Sequence, residues 1–208
     1  MNIDISKYDA IIFDLGGVIL NIDYQATIDA FTQLGISDFN VQFSQLKQNK
    51  LFDDYETGRI NSDEFLSALK RVLPDDVKEH DILNAWNIIL KDLPPHRLDV
   101  LEKVRNLKPT FLLSNTNDLH IKSFNIYLQQ TFNLPSLAKY FNQMFLSYEI
   151  GMRKPDREIF EFVLSQEKLK PARTLFIDDT IIHIESAKQL GIQTFHLTKE
   201  WDIGMLFS

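Results

Sequence analysis

The sequence contains no cysteine. Disulfides, thiolate nucleophiles and cysteine-based metal sites are therefore excluded. It also lacks any apolar run near the ~18 residues that a membrane-spanning helix needs, so no membrane partner is expected. The first residues, MNIDISKYDA, have neither a basic start nor a long apolar stretch. They do not read as a secretory signal, and the expected location is cytoplasmic. Positive charge is in the minority, with 22 Lys and Arg against 29 Asp and Glu, a net charge of −7 and a pI near 5.2. A nucleic-acid partner, which wants a basic face, is disfavoured. No internal repeat and no low-complexity tract is present.

What is present suits a packed core: 208 residues, 44% of them hydrophobic, enough for one domain or one domain carrying an insertion. Five short apolar runs read as buried strands: Asp9–Phe13, Thr110–Leu113, Gln143–Leu146, Arg173–Ile177 and Gln193–Leu197. Helical patterns fall among the later ones. Leu98, Leu101, Val104 and Leu107 keep a three-residue spacing behind Pro94 and Pro95, a plausible helix start. Ile159, Phe160, Val163 and Leu164 mark a helix starting near Pro155, and Ile184, Ala187, Lys188 and Leu190 mark another, stopped by Gly191. Strands alternating with helices predict an α/β fold, a Rossmann-like parallel sheet with helices on both faces.

The first gap breaks that rhythm. Residues 14–109 separate the first two strands, where a crossover needs only about a dozen residues. The gap reads as helices only. Ile28, Phe31 and Leu34 form a stripe closed by Gly35, and a second pattern runs from Asp38 to Gln48. Asn61 with Glu64 resembles a capping box ahead of Phe65, Leu66, Leu69 and Val72, and a fourth pattern spans Val77 to Leu90. The expected organisation is an α/β core of residues 1–21 and 93–208, with a small α-helical cap subdomain, residues 22–92, inserted after the first strand.

In open α/β sheets, ligands bind beyond the carboxyl ends of the strands. The first strand ends in Asp14, followed by Gly16 and Gly17 within FDLGGV. The second ends in Ser114-Asn115 and the fourth in Asp178-Asp179, while the loop after the third carries Lys154 within GMRKPD. Three carboxylates converging make a site for a hard cation such as Mg²⁺. A hydroxyl, an amide and a lysine suit phosphoryl oxygens. The glycines let the chain turn sharply and bring backbone close to metal and phosphate.

FDLGGV, LLSN, GMRKP and FIDD, in this order and at strand ends, resemble the four motifs of the haloacid dehalogenase-like (HAD) hydrolase superfamily over nearly the whole chain. The insertion sits where that superfamily places a helical cap of the first type. FDLGGVILNID, LSNTNDLH and YETGRI are similar to its sugar-phosphate phosphatase branch, which includes a bacterial glucose-1-phosphate phosphatase. The resemblance implies a phosphatase acting on a small-molecule phosphate ester through an aspartyl-phosphate intermediate. Asp14 would be the nucleophile. Mg²⁺ would be held by Asp14, the Gly16 carbonyl and Asp179, with Asp178 assisting directly or through water. Ser114 and Asn115 would hold the phosphoryl group, and Lys154 would bind it and offset the acidic cluster.

The sequence departs from the family pattern in two places. Where most such phosphatases carry a second aspartate, the general acid/base, this chain has Gly16. Such groups contribute about 10²–10⁴-fold. Three readings stay open: a leaving group that needs little protonation, such as the anomeric oxygen of a sugar-1-phosphate; a substitute such as Asp23 or Glu56; or a catalytically weak protein that binds phosphorylated ligands. A metal-independent dehalogenase is a further alternative, disfavoured by the Asp178-Asp179 pair. The acidic residue often found three or four positions after that pair is replaced by Ile182 and His183, so weaker metal binding is expected. His120 and His183 have no metal-ligand spacing and read as structural. Arg153 reads as a surface charge, and Trp86 as cap core rather than a sugar platform.

Overall fold

The computed structural model describes residues 3–36 and 50–207. The helical pattern expected from Asp38 to Gln48 lies outside the described residues. Five strands, β1 (Ala10–Phe13), β2 (Thr110–Ser114), β3 (Gln143–Leu146), β4 (Thr174–Asp178) and β5 (Gln193–His196), form one sheet in the order β3-β2-β1-β4-β5, and every pairing is parallel. The expected parallel α/β sheet is therefore present. Strand ends differ from expectation by one residue, which carries Ser114 and Asp178 into the sheet itself.

Side chains alternate across the strands, and both faces are covered. Ile11 and Phe13 of β1 join Leu112, Leu175 and Ile177 on one face. There they pack on α5 (Pro95–Leu107) and α6 (Asp118–Phe132) through Leu98, Leu101, Val104, Phe124 and Leu128. Ala10 and Ile12 join Phe111, Leu113, Phe145 and Phe176 on the other face. There they pack on α8 (Arg157–Gln166) and α9 (Ile181–Gln189) through Ile159, Phe160, Val163, Ile184 and Ala187. Pro95 opens α5, where its missing N–H costs nothing. The helix expected near Pro155 starts two residues later, at Arg157. Among the described residues, no helix is long and apolar enough to cross a membrane.

Between β1 and β2 lie α1 (Tyr24–Gln33), α2 (Leu51–Glu56), α3 (Ser62–Lys70) and α4 (Glu79–Asn87). They bury a cluster of their own, including Phe31, Tyr55, Phe65, Leu69, Ile82 and Trp86. The box at Asn61 and Glu64 forms as expected, each side chain accepting from the other's backbone N–H at 2.9 Å. Two chain segments lead from this unit to the sheet and run side by side. Asn21 N–H donates to Asp92 O (3.0 Å), Lys91 N–H to Asn21 O (2.9 Å) and Asp23 N–H to Ile89 O (2.9 Å). Buried Arg97 pins their base, donating to Ile19 O and Asn21 Oδ1 (both 3.0 Å) and pairing with Asp202 (2.8 Å). The short α7 (Ser147–Ile150) follows β3, and α10 (Ile203–Leu206) ends the described chain.

Candidate active site

The sheet register assembles the site. Phe13 pairs with Ile177 on one side and Leu112 on the other. Asp14 and Asp178, the next residues, and Ser114, two beyond Leu112, therefore emerge close together at the carboxyl edge. β1 is also the strand from which the chain runs first to β2 and β3 and later to β4 and β5. This is the reversal point at which ligand crevices form.

Lys154 binds the cluster from beneath. Its Nζ lies 2.8 Å from Asp14 Oδ1 and 2.6 Å from Asp178 Oδ2, with the side chain 1% exposed. Asn115 braces the lysine: its Nδ2 donates to Lys154 O and its Oδ1 accepts from Lys154 N–H, both at 2.8 Å. Asp178 also accepts from Thr180 N–H (2.7 Å) and lies 3.1 Å from His183 Nδ1. Burial alone would raise the Asp178 carboxyl; the Lys154 ammonium and the His183 contact outweigh it and hold it at about 2. Asp14 differs. Burial pushes its carboxyl up to about 7, Lys154 pulls back, and Asp178 and Asp179 push further. Asp179 is also raised from its ordinary value, by burial first and Asp178 second. Burial opposes the Lys154 charge, but Asp14 and Asp178 more than restore it.

Oxygens of Asp14, Asp178 and Asp179 lie within 4.8 Å of one another. Fully ionised, these three carboxylates against one ammonium leave two negative charges uncompensated, and all the free donors are hard oxygens. That chemistry fits a divalent cation of the Mg²⁺ kind. The turn after β1 makes room for it. Gly17 has φ +75°, and a Cβ there would stand 2.1 Å from Asp179 Oδ2, so only glycine fits. Gly16 is less constrained: a Cβ would meet Ile22 Cδ1 at 3.2 Å.

Above the cluster lies a cavity of about 590 Å³. Asp14, Gly16, Ser114, Asn115, Lys154 and Asp179 line its floor. Asp178 sits below it, fully buried. The facing wall comes from the helical unit and includes Tyr24, Ile28, Phe52, Glu56, Trp86 and Leu90. Trp86 is core, as expected, 7% exposed and stacked on Phe52 and His120. His120 is structural too: its ring contacts Asn117 Nδ2 (3.0 Å) and Trp86 O (3.1 Å), and burial lowers its pKa to about 4.

One expectation needs correction. Arg153 is no free surface charge; it is half-buried, lines the cavity and pairs with Asp53 and Glu56 of α2, joining the helical unit to the sheet unit. Its position beside Lys154 was the available signal. His183 is structural in a specific sense, since it supports Asp178 one turn into α9. Of the two substitutes considered for a proton carrier, Asp23 does not line the cavity. It caps α1, accepting from Ala26 N–H at 3.1 Å, and lies 3.7 Å from Lys91. Glu56 does line it.

The sequence profile described as haloacid dehalogenase-like hydrolase matches residues 8–191. The chain belongs to this family. Among its relatives, this HAD-like hydrolase is 31% identical over 185 residues to the D-ribitol-5-phosphate phosphatase of Bacteroides thetaiotaomicron, covering 89% of each chain. Its fold is similar to the crystal structure of a HAD-family enzyme of the same organism in complex with magnesium and inorganic phosphate. The TM-score is 0.83 at 34% identity, covering 94% of this chain and 96% of that one. It is also similar to a HAD-like family hydrolase of Porphyromonas gingivalis, with a TM-score of 0.82 at 27% identity over 94% and 93% of the two chains.

Proposed function

We propose that this HAD-like hydrolase is a Mg²⁺-dependent phosphatase that cleaves a small phosphate ester, a sugar or sugar-alcohol phosphate, with Asp14 as nucleophile. The observation that carries the reading is the placement of Asp14, on the cavity floor and bonded to buried Lys154 beneath it. A carboxylate fixed at one oxygen by an ammonium presents the other for attack on phosphorus. The lysine also lowers the cost of bringing an anionic ester against an acidic cluster. The magnesium and phosphate complex of the similar Bacteroides enzyme and the name of the ribitol-5-phosphate phosphatase support the metal and the substrate class.

In this reading Asp14, the Gly16 carbonyl and Asp179 would hold Mg²⁺, with Asp178 assisting. The ion would neutralise charge on the phosphoryl group. Ser114 and the Asn115 backbone receive phosphoryl oxygens; the Ser114 hydroxyl has only a long 3.5 Å contact to Asn115 O. Residues 22–92 act as the cap, closing over the ester, excluding water and reading the leaving group.

The test is phosphate release from a panel of sugar, sugar-alcohol and aryl phosphates with Mg²⁺, beside an EDTA control. Release that EDTA abolishes and Mg²⁺ restores is expected, with sugar or sugar-alcohol phosphates preferred. Turnover that survives EDTA would overturn the reading.

A further inference from the structure

Cleaving an alkyl phosphate leaves an alkoxide, which needs a proton as it departs, and the attacking water must later give one up. Among the described residues, the floor of the cavity has no carboxyl outside the proposed nucleophile and metal site to do this. Asp14 attacks, Lys154 is shared between Asp14 and Asp178, and Gly16 has no side chain. Among the described residues lining the cavity, His183 is engaged with Asp178 and both ring nitrogens of His120 are in contact with partners. Tyr24 stands at the mouth, 68% exposed. Asp53 shares Arg153 with Glu56 but is half-exposed.

Glu56 is different. It ends α2 on the wall opposite Asp14, and its Oε2 is buried without an aligned hydrogen bond, 3.0 Å from Arg153 Nη2. Arg153 is the chain neighbour of Lys154, so the pair brings the cap carboxyl over the floor. From these placements we propose that Glu56, supplied by the cap, carries the proton that the leaving oxygen takes and the attacking water returns. The inference rests on the phosphatase reading above.

In the first step an Asp14 oxygen bonds to phosphorus, the ester P–O bond breaks, and the Glu56 proton passes to the departing oxygen. An alcohol, an aspartyl phosphate and an ionised Glu56 result. In the second, water attacks phosphorus, its proton passes to Glu56, and the bond to Asp14 breaks to release hydrogen phosphate. Burial, the largest influence on Glu56, raises its carboxyl from its ordinary value, with Arg153 and Lys154 opposing and Asp53 adding to it.

The test compares Glu56→Gln with wild type on two esters: a sugar-alcohol phosphate and a nitrophenyl phosphate, whose phenolate departs without protonation. On the first, a loss of about 10²–10⁴-fold in kcat is expected. On the second, the loss is smaller by at least about tenfold. Asp53→Asn, which breaks the same link to Arg153, should affect both esters alike. Equal losses in Glu56→Gln on the two esters, or the Glu56→Gln pattern reproduced by Asp53→Asn, would overturn the proposal. Failure of the wild type on both esters would instead overturn the phosphatase reading.

Discussion

Asp14 and Asp178 are side by side and bonded to the same lysine, yet their environments push their protons in opposite directions. Asp178 takes Lys154, His183 and a backbone N–H, while the Asp14 carboxylate, among the described residues, takes Lys154 and faces the other two carboxylates. The asymmetry has a consequence for stability. A carboxyl whose folded pKa is raised, here from 3.8 to about 7, stabilises the fold relative to its ionised form below the unfolded value and loses that contribution as pH rises through the folded one. In EDTA, the melting temperature should therefore fall as pH rises from about 4 to 7. Asp14→Asn should flatten that fall and melt higher than wild type at pH 8. Thermal melts across the range check this; a mutant that melts lower at pH 8 would contradict the assigned environment. Asp178 works in the other sense. Its contribution is present above pH 3.8 and is lost as pH falls through about 2.

At the scale of elements, the turn after β1 is built by close approach rather than by side chains. Gly17→Ala places a methyl group against Asp179 and forces φ +75° on a residue that resists it, at a cost of roughly 1–3 kcal/mol. A loss of several degrees in melting temperature is expected, with a drop in Mg²⁺ affinity measured by titration because Asp179 must move. Unchanged affinity would show that the contact does not place Asp179. A similar approach docks the helical unit on the sheet unit: a Cβ on Gly58 would stand 2.2 Å from Tyr148 O, and Ser62 Oγ donates to Asp118 Oδ2 at 2.9 Å. The strands were legible because each is a short apolar run buried on both faces. The capping box at Asn61 was legible because it is local chemistry. Helix α2, six residues long, shows too little of a period to read. Helix α6 was also missed, although Asn117 caps it and Ile121, Phe124 and Leu128 mark its inner face.

Across the whole molecule, Asp14, Ser114 and Asp178 stand at or just beyond strand ends and Lys154 lies in the loop between α7 and α8, so chain topology brings them together. What the sequence could not show is pairing across distance. Arg153 and Glu56 lie about a hundred positions apart and meet only when α2 packs against the loop carrying Lys154. Their charges read as solvated until the fold places them at one cavity. The same holds for His183, whose spacing from Asp178 gains meaning only once α9 begins at Ile181 and brings its imidazole against that carboxylate.

With Asp14 as nucleophile, the phosphoryl group passes through its carboxylate. Turnover of a cleaved ester, quenched in acid and followed by peptide mass mapping, tests this most directly. A single added phosphoryl group is expected on the peptide containing Asp14, absent when Asp14→Asn is treated in the same way. A phosphoryl group trapped on any other side chain, or full turnover by Asp14→Asn, would contradict it.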